Sequence, residues 1–206
     1  MEKKSKIIIA IVVIIVIILG IFACTTFLNK EVTPFDNNFM SGKFTGSNVV
    51  LDTAGGNDSF GQIYHDNTNK IEYSLQTADS FNFTIGKYLV QGATGPEYRN
   101  INGVEWAIYY ASAYNNESSN PLHVYFCAAT VDNQSYLITV VSDNSTGIQC
   151  DGTTYCDLYT QYVEPLLAST QLKHCENVPT EYGLLGISQA EYSNYLTQLN
   201  ELLVNV

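Results

Sequence analysis

The side chains best suited to chemistry in this 206-residue chain are its cysteines and histidines. Four of the five cysteines, Cys127, Cys150, Cys156 and Cys175, lie beyond the midpoint, and an even set of thiols in an oxidising compartment reads as a disulfide framework. Cys150 and Cys156 close a short loop around Asp151, Gly152, Thr153, Thr154 and Tyr155, which leaves Cys127 to pair with Cys175 among the connectivities open to such a set. A free, buried Cys127 is the competing state. His174, Cys175 and Glu176 place an imidazole, a thiol and a carboxylate side by side, the ingredients of a thiol nucleophile. Adjacent residues on an extended chain point in different directions, however, and an exported cysteine is more often bridged. The spacing of Cys150 and Cys156 also departs from the Cys-x-x-Cys of thioredoxin-like redox chemistry. His65, His123 and His174 are spread through the chain, and only a fold can bring them together.

Other chemistry is thinly represented. Nucleophile-elbow, phosphate-loop, dinucleotide and paired-histidine zinc motifs are absent, so no cofactor is expected. Asp66 to Asn69 and Asp143 to Gly147 cluster oxygen ligands but lack the spacing and terminal glutamate of a calcium loop, and turn chemistry accounts for both. Trp106, Tyr109, Tyr110 and Tyr114 offer an aromatic surface for a glycan or peptide, against the plain preference of tyrosine for strands. Sequons at Asn57, Asn82, Asn116, Asn133 and Asn144 are candidate glycosylation sites of an exported surface.

What positions these residues begins with Ile7 to Leu28, which carries no charge. As a helix it would be about 33 Å long, enough for a bilayer core of about 30 Å. Lys3, Lys4 and Lys6 precede it and hold that end in the cytoplasm. Residues 1–28 therefore read as a basic start and an uncleaved signal anchor, since the apolar run exceeds a cleaved signal's and no Ala-x-Ala site follows. Ile21-Phe22-Ala23-Cys24 resembles a lipoprotein processing site, with Cys24 as the lipid anchor, although Phe22 replaces the usual small residue. Each version places the remainder outside a cell membrane. Setting aside Glu2, Lys3, Lys4 and Lys6 leaves 6 basic and 19 acidic side chains, a net charge of −13 that disfavours nucleic acid as a partner.

Residues 29–38 read as a polar stalk and 39–206 as one extracytoplasmic domain. Its first part suggests short strands at 39–45 and 48–52, a hairpin pairing 62–64 with 71–77, and a short helix or helix-like turn within 79–91. The stretches 97–101, 104–114, 122–131 and 134–143 are β-rich and joined by turn residues, Asn102-Gly103 among them, so an antiparallel meander is expected. A two-residue turn at Asp132-Asn133 would set Tyr125, Cys127 and Ala129 opposite Val140, Ile138 and Tyr136. Tyr155, Leu158, Tyr159, Tyr162, Val163, Leu166 and Leu167 have helical spacing, with Thr153 or Thr154 as N-cap and Pro165 kinking the helix near Gln161 or dividing it in two. Ser188 to Glu191 is a capping box that opens a helix over 188–204, which docks on its own domain, the commoner outcome, or on a partner. The fold expected is α+β: an N-terminal transmembrane helix, then an antiparallel β-meander sheet covered by helices.

Asn102-Gly103-Val104-Glu105-Trp106, Val124 to Cys127, Tyr136 to Thr139 and Tyr162 to Ser169 together resemble the second half of a PsbP/Mog1-like domain, a type found behind single membrane helices in archaeal surface proteins. The first half lacks that family's aromatic-Pro-x-x-Trp entry. The resemblance implies a helix closing on a sheet and carries no common catalytic residues. The functional expectation is a membrane-anchored, non-enzymatic envelope binding or interaction module, its partners the lipid bilayer through residues 7–28 and a wall polymer or surface protein. The alternative is an extracytoplasmic thiol-dependent hydrolase or thiol-disulfide oxidoreductase.

Overall fold

The stretch expected to be a stalk supplies a strand. β1 (Val32–Asp36) is followed by β2 (Met40–Thr45), β3 (Val49–Leu51), β4 (Gly61–Asp66) and β5 (Ile71–Ala78), then β6 (Thr94–Ile101), β7 (Val104–Tyr114), β8 (Pro121–Val131) and β9 (Gln134–Ser142). A π-helical segment, α1 (Tyr159–Val163), continues as α2 (Glu164–Ser169), and β10 (Gln171–Leu172), α3 (Glu181–Leu184) and α4 (Gln189–Val204) come after it. This computed structural model describes residues 31–53, 59–81, 94–114, 121–142 and 147–204.

The α+β expectation is corrected by these elements. The described fold is mostly β, with a 7-stranded sheet in the order β3-β4-β5-β9-β8-β7-β6 and a 3-stranded sheet in the order β1-β2-β10. Among the described residues no helix is long and apolar enough to cross a membrane, and the stretch 7–28 read as a transmembrane helix lies outside them. The helix-like segment expected within 79–91 lies outside them from residue 82 onward. The physical source of the difference is pairing at long range. Ser41 and Met40 take Gln171 and Leu172 as partners, a ladder between segments too short to announce themselves as strands.

The large sheet is antiparallel throughout, and its register follows from its turns. Asn102 and Gly103 adopt φ of 54° and 80°, and Asp132 and Asn133 52° and 61°, the left-handed pair that tight two-residue hairpins need. Tyr125, Cys127 and Ala129 then stand opposite Val140, Ile138 and Tyr136, as the spacing predicts. These residues, with Tyr73 and Leu75 of β5 and Trp106 and Ile108 of β7, make one face a closed core. The other face carries Val124 and Ala128, buried, and Phe126, Leu137 and Val141, half-buried.

The core face is covered by the helical segment and by β2. Leu158, Tyr159, Tyr162, Val163, Leu166 and Leu167 are buried as their spacing predicts, whereas Tyr155, assigned to the same stripe, is 82% exposed. The N-cap differs as well: Leu158 caps α1 without a side-chain bond, and Thr153 Oγ1 donates to Asp151 instead. Pro165 acts where expected, through the backbone. It has no N–H to offer, and the preceding turn widens so that the Glu164 N–H reaches Tyr159 O, a π-type bond. Phe44 of β2 stacks on Phe35 and meets Tyr73, each at 4.6 Å between ring centroids, which ties the small sheet to the large one. Ser169 Oγ donates to Lys43 O and accepts from Lys43 N, clamping the end of α2 to β2.

The C-terminal helix begins as its sequence predicts, and its described half makes its contacts with α3. The capping box forms, with Ser188 N–H donating to Glu191 Oε2 at 2.8 Å and Glu191 N–H to Ser188 Oγ at 3.2 Å. Of the side chains described on α4, residues 189–198, none is buried. Tyr192 touches α3, where its hydroxyl donates to Glu181 and its ring lies 5.9 Å from that of Tyr182.

Candidate functional site

Side chains alternate along a strand, so the neighbours Tyr109 and Tyr110 face opposite sides of the sheet. On the Tyr109 side, the Asn102-Gly103 turn sets Tyr98 opposite Ala107, diagonal to Tyr109. A groove of about 550 Å³ opens here, lined by Asp79, Phe81, Tyr98, Glu105, Tyr109 and Asn133 among others. That is within the range of roughly 300–1,000 Å³ that holds small ligands. Tyr98 is 65% exposed, an uncovered aromatic face at the edge strand. Burial, and then the neighbouring Tyr98 phenol, raise the ionisation of Tyr109 above its ordinary range. Asp79 and Glu105 supply the charge, and no Lys, Arg or His is among the described lining residues. The chemistry available is stacking with hydrogen bonding, suited to a neutral or cationic ligand.

On the Tyr110 side lies a chain of polar side chains under the loop between the two adjacent thiols. Tyr110 Oη is 2.7 Å from His123 Nδ1, and the ring of Tyr110 is 5.2 Å from that of Tyr125. Tyr125 donates its hydroxyl proton to Thr153 O at 2.7 Å, and its oxygen is 3.0 Å from Cys156 Sγ and 3.7 Å from Cys150 Sγ. The two sulfurs are 3.3 Å apart, in contact as free thiols rather than bonded. Burial leads in raising the Tyr110, Tyr125 and Cys150 ionisations and in lowering that of His123. His123 Nε2 is buried without a hydrogen-bond partner. A cleft of about 150 Å³ beside this chain is lined by Gly95, Pro96, Glu97, Tyr110, Gly152 and Thr154 among others.

The remaining candidates are placed as follows. Cys127 is fully buried opposite Ile138, and burial pushes its thiol up; Cys175 is half-buried, with Sγ 3.3 Å from Asn38 O and its N–H on Gln134 Oε1 at 2.9 Å. All four thiols are free. The Cys175 sulfur therefore meets backbone carbonyls, and His174 and Glu176 are exposed beside it. His65 lies between Asp52, at 3.2 Å, and Glu72, at 3.6 Å, next to a groove of about 240 Å³. His65, His123 and His174 are not gathered into one site. Asp66 uses both carboxylate oxygens within its own turn, accepting from the Thr68 and Asn69 N–H groups and the Asn69 amide, which is turn chemistry rather than a calcium loop. Among the described residues no group of three His, Cys, Asp or Glu could hold a metal ion.

Asn133 is exposed in the β8–β9 turn at the rim of the large groove. Asn57, Asn82, Asn116, Asn144 and Cys24 lie outside the described residues. The expected aromatic surface divides: Trp106 is fully buried in the core, Tyr110 turns towards His123 and Tyr109 lines the groove, while the Tyr114 side chain lies outside those described. Sequence reasoning missed Tyr98, Phe81 and Glu105. Tyr98 was within reach, since counting back from the Asn-Gly turn sets it opposite Ala107, whereas Phe81 arrives from a separate part of the chain.

The described fold and its grooves define a mostly β domain with a sheet closed on one face. No family model matches the chain, and no curated protein matches it. The PsbP/Mog1-like resemblance thus rests on the quoted residues alone. Among solved structures, the chain is similar to a crystal structure from Bacteroides thetaiotaomicron VPI-5482, with 8% identity and a TM-score of 0.44, over 70% of this chain and 49% of that one. The chain therefore spans about half the length of the structure it matches.

Proposed function

We propose that this chain is a non-enzymatic binding module of the cell envelope. The observation that carries the proposal is the groove of about 550 Å³, where exposed Tyr98 and half-buried Tyr109 stand with Asp79 and Glu105. Aromatic faces with hydroxyl and carboxylate acceptors suit a polyhydroxylated wall polymer, and the net acidity of the chain repels polyanions. The apolar stretch 7–28 behind three lysines supports export and retention at the membrane, with the domain outside. The thiol-hydrolase alternative gains no support from Cys175, whose sulfur meets carbonyl oxygens.

The test is retention of the purified full-length chain on envelope fractions. Wild-type protein is expected to be retained on a polymer fraction, and the double substitution Tyr98→Ala, Tyr109→Ala to be released while its unfolding transition stays cooperative. Equal retention of both proteins, or retention of neither, removes the groove as a binding site.

A further inference from the structure

The loop from Cys150 to Cys156 is held where its two thiols must meet. Gly152 has φ +82°, and a Cβ there would fall 2.4 Å from the Tyr110 ring, so the loop lies flat against Tyr110 as only glycine allows. Cys156 is buried and Cys150 half-buried, with the sulfurs 3.3 Å apart. The Tyr125 proton is committed to Thr153 O, so the Tyr125 oxygen 3.0 Å from Cys156 is free to accept the S–H. Cys127 is sealed in the core, and Cys175 lies beside Asn38 in another part of the fold. Only one of the sequence-level pairings has its sulfurs in contact.

We propose that Cys150 and Cys156 form a reversible oxidation site, a dithiol that a small-molecule disulfide converts to an intramolecular disulfide, fixing the loop that walls the cleft beside Tyr110. Cys150, the more exposed, loses its proton and attacks one sulfur of the external disulfide, forming a mixed disulfide and expelling one thiolate. Cys156 then loses its proton and attacks the Cys150 sulfur, breaking the mixed bond and expelling the second thiolate. The two expelled thiolates take up the two protons, so two protein thiols are oxidised and one external disulfide is reduced to two thiols. Closure draws the sulfurs from contact to a bond of about 2.05 Å and moves Cys156 relative to Tyr125. Gly152 and Thr154, on the same loop, line the cleft and are fixed with it. The site is independent of the Tyr98 groove and of the binding role proposed for it.

The experiment treats the reduced full-length chain with oxidised glutathione, quenches with acid, alkylates under denaturing conditions and maps peptides by mass. The expected product is a single 150–156 disulfide that native treatment with dithiothreitol reverses. Cys156→Ser is expected to stop at a glutathione adduct on Cys150, and Cys150→Ser to react far more slowly at Cys156. Chymotryptic cleavage after the exposed Tyr155 is expected to slow several-fold on oxidation and recover on reduction. Pairing through Cys127 or Cys175, no pairing, a bond that native reduction does not open, or cleavage that ignores the redox state would each overturn the proposal.

Discussion

Tyr109 and Tyr110 are neighbours on one strand, yet they belong to two different chemistries. Tyr110 looks inward, with its hydroxyl on His123 and its ring beside Tyr125, in a layer where the loop, the helix and the sheet meet. Tyr109 looks outward with Tyr98 over a groove edged by carboxylates. The inner layer is closed by Trp106, Tyr125 and Tyr159, all essentially inaccessible, while Tyr98 remains largely exposed. Identical side chains are therefore buried as packing or left lining an open groove according to the pleat. A tyrosine-rich strand is uninformative until its register is known.

Three substitutions sharpen this contrast, the largest effect first. Trp106→Ala removes a fully buried ring from the inner layer and is expected to cost about 3–5 kcal/mol, read from the urea midpoint. A loss under about 1 kcal/mol would mean that this face is not a packed core.

A smaller effect concerns His123, whose burial holds its ionisation below the ordinary histidine value. The unfolded chain then binds the proton more readily, so this contribution is complete above the unfolded value of about 6.5 and is lost as pH falls towards the folded one. Stability measured from pH 7 down to pH 5 should fall less steeply in His123→Gln than in the wild type. Parallel curves would place His123 in contact with water.

The smallest effect is on the outer face. Tyr98→Ala should change the unfolding free energy by no more than about 0.5 kcal/mol, because the ring is mostly in solvent. A cost like that of Trp106 would show that the outer tyrosines are packing too, and would end the distinction between the two layers.

Several features were legible because they are local. Asn102-Gly103 and Asp132-Asn133 fix two hairpins through backbone angles that those residues adopt readily, and a period of two then assigns the side chains to a face, up to the register shift between Thr94 and Glu97 of β6. The stripe from Leu158 to Leu167 was equally visible, since helical spacing is a short-range signal. The capping box at Ser188 formed as read. The groove was legible only in part: Tyr109 was named, but in company with Trp106, which the pleat turns away.

What the sequence determined by itself, then, was the meander, the register of its β8–β9 hairpin and the apolar face of the covering helix. Tertiary structure alone decided that residues 32–36 are a strand, that β5 pairs with β9 and that β10 closes on β2. It also decided which thiols touch and that α4 keeps its described side chains out of the core. The reason is the range of the interactions. A turn or a helical stripe is specified by residues within a few positions of one another, whereas a ladder such as Ser41 with Gln171 forms only when the intervening chain has already packed.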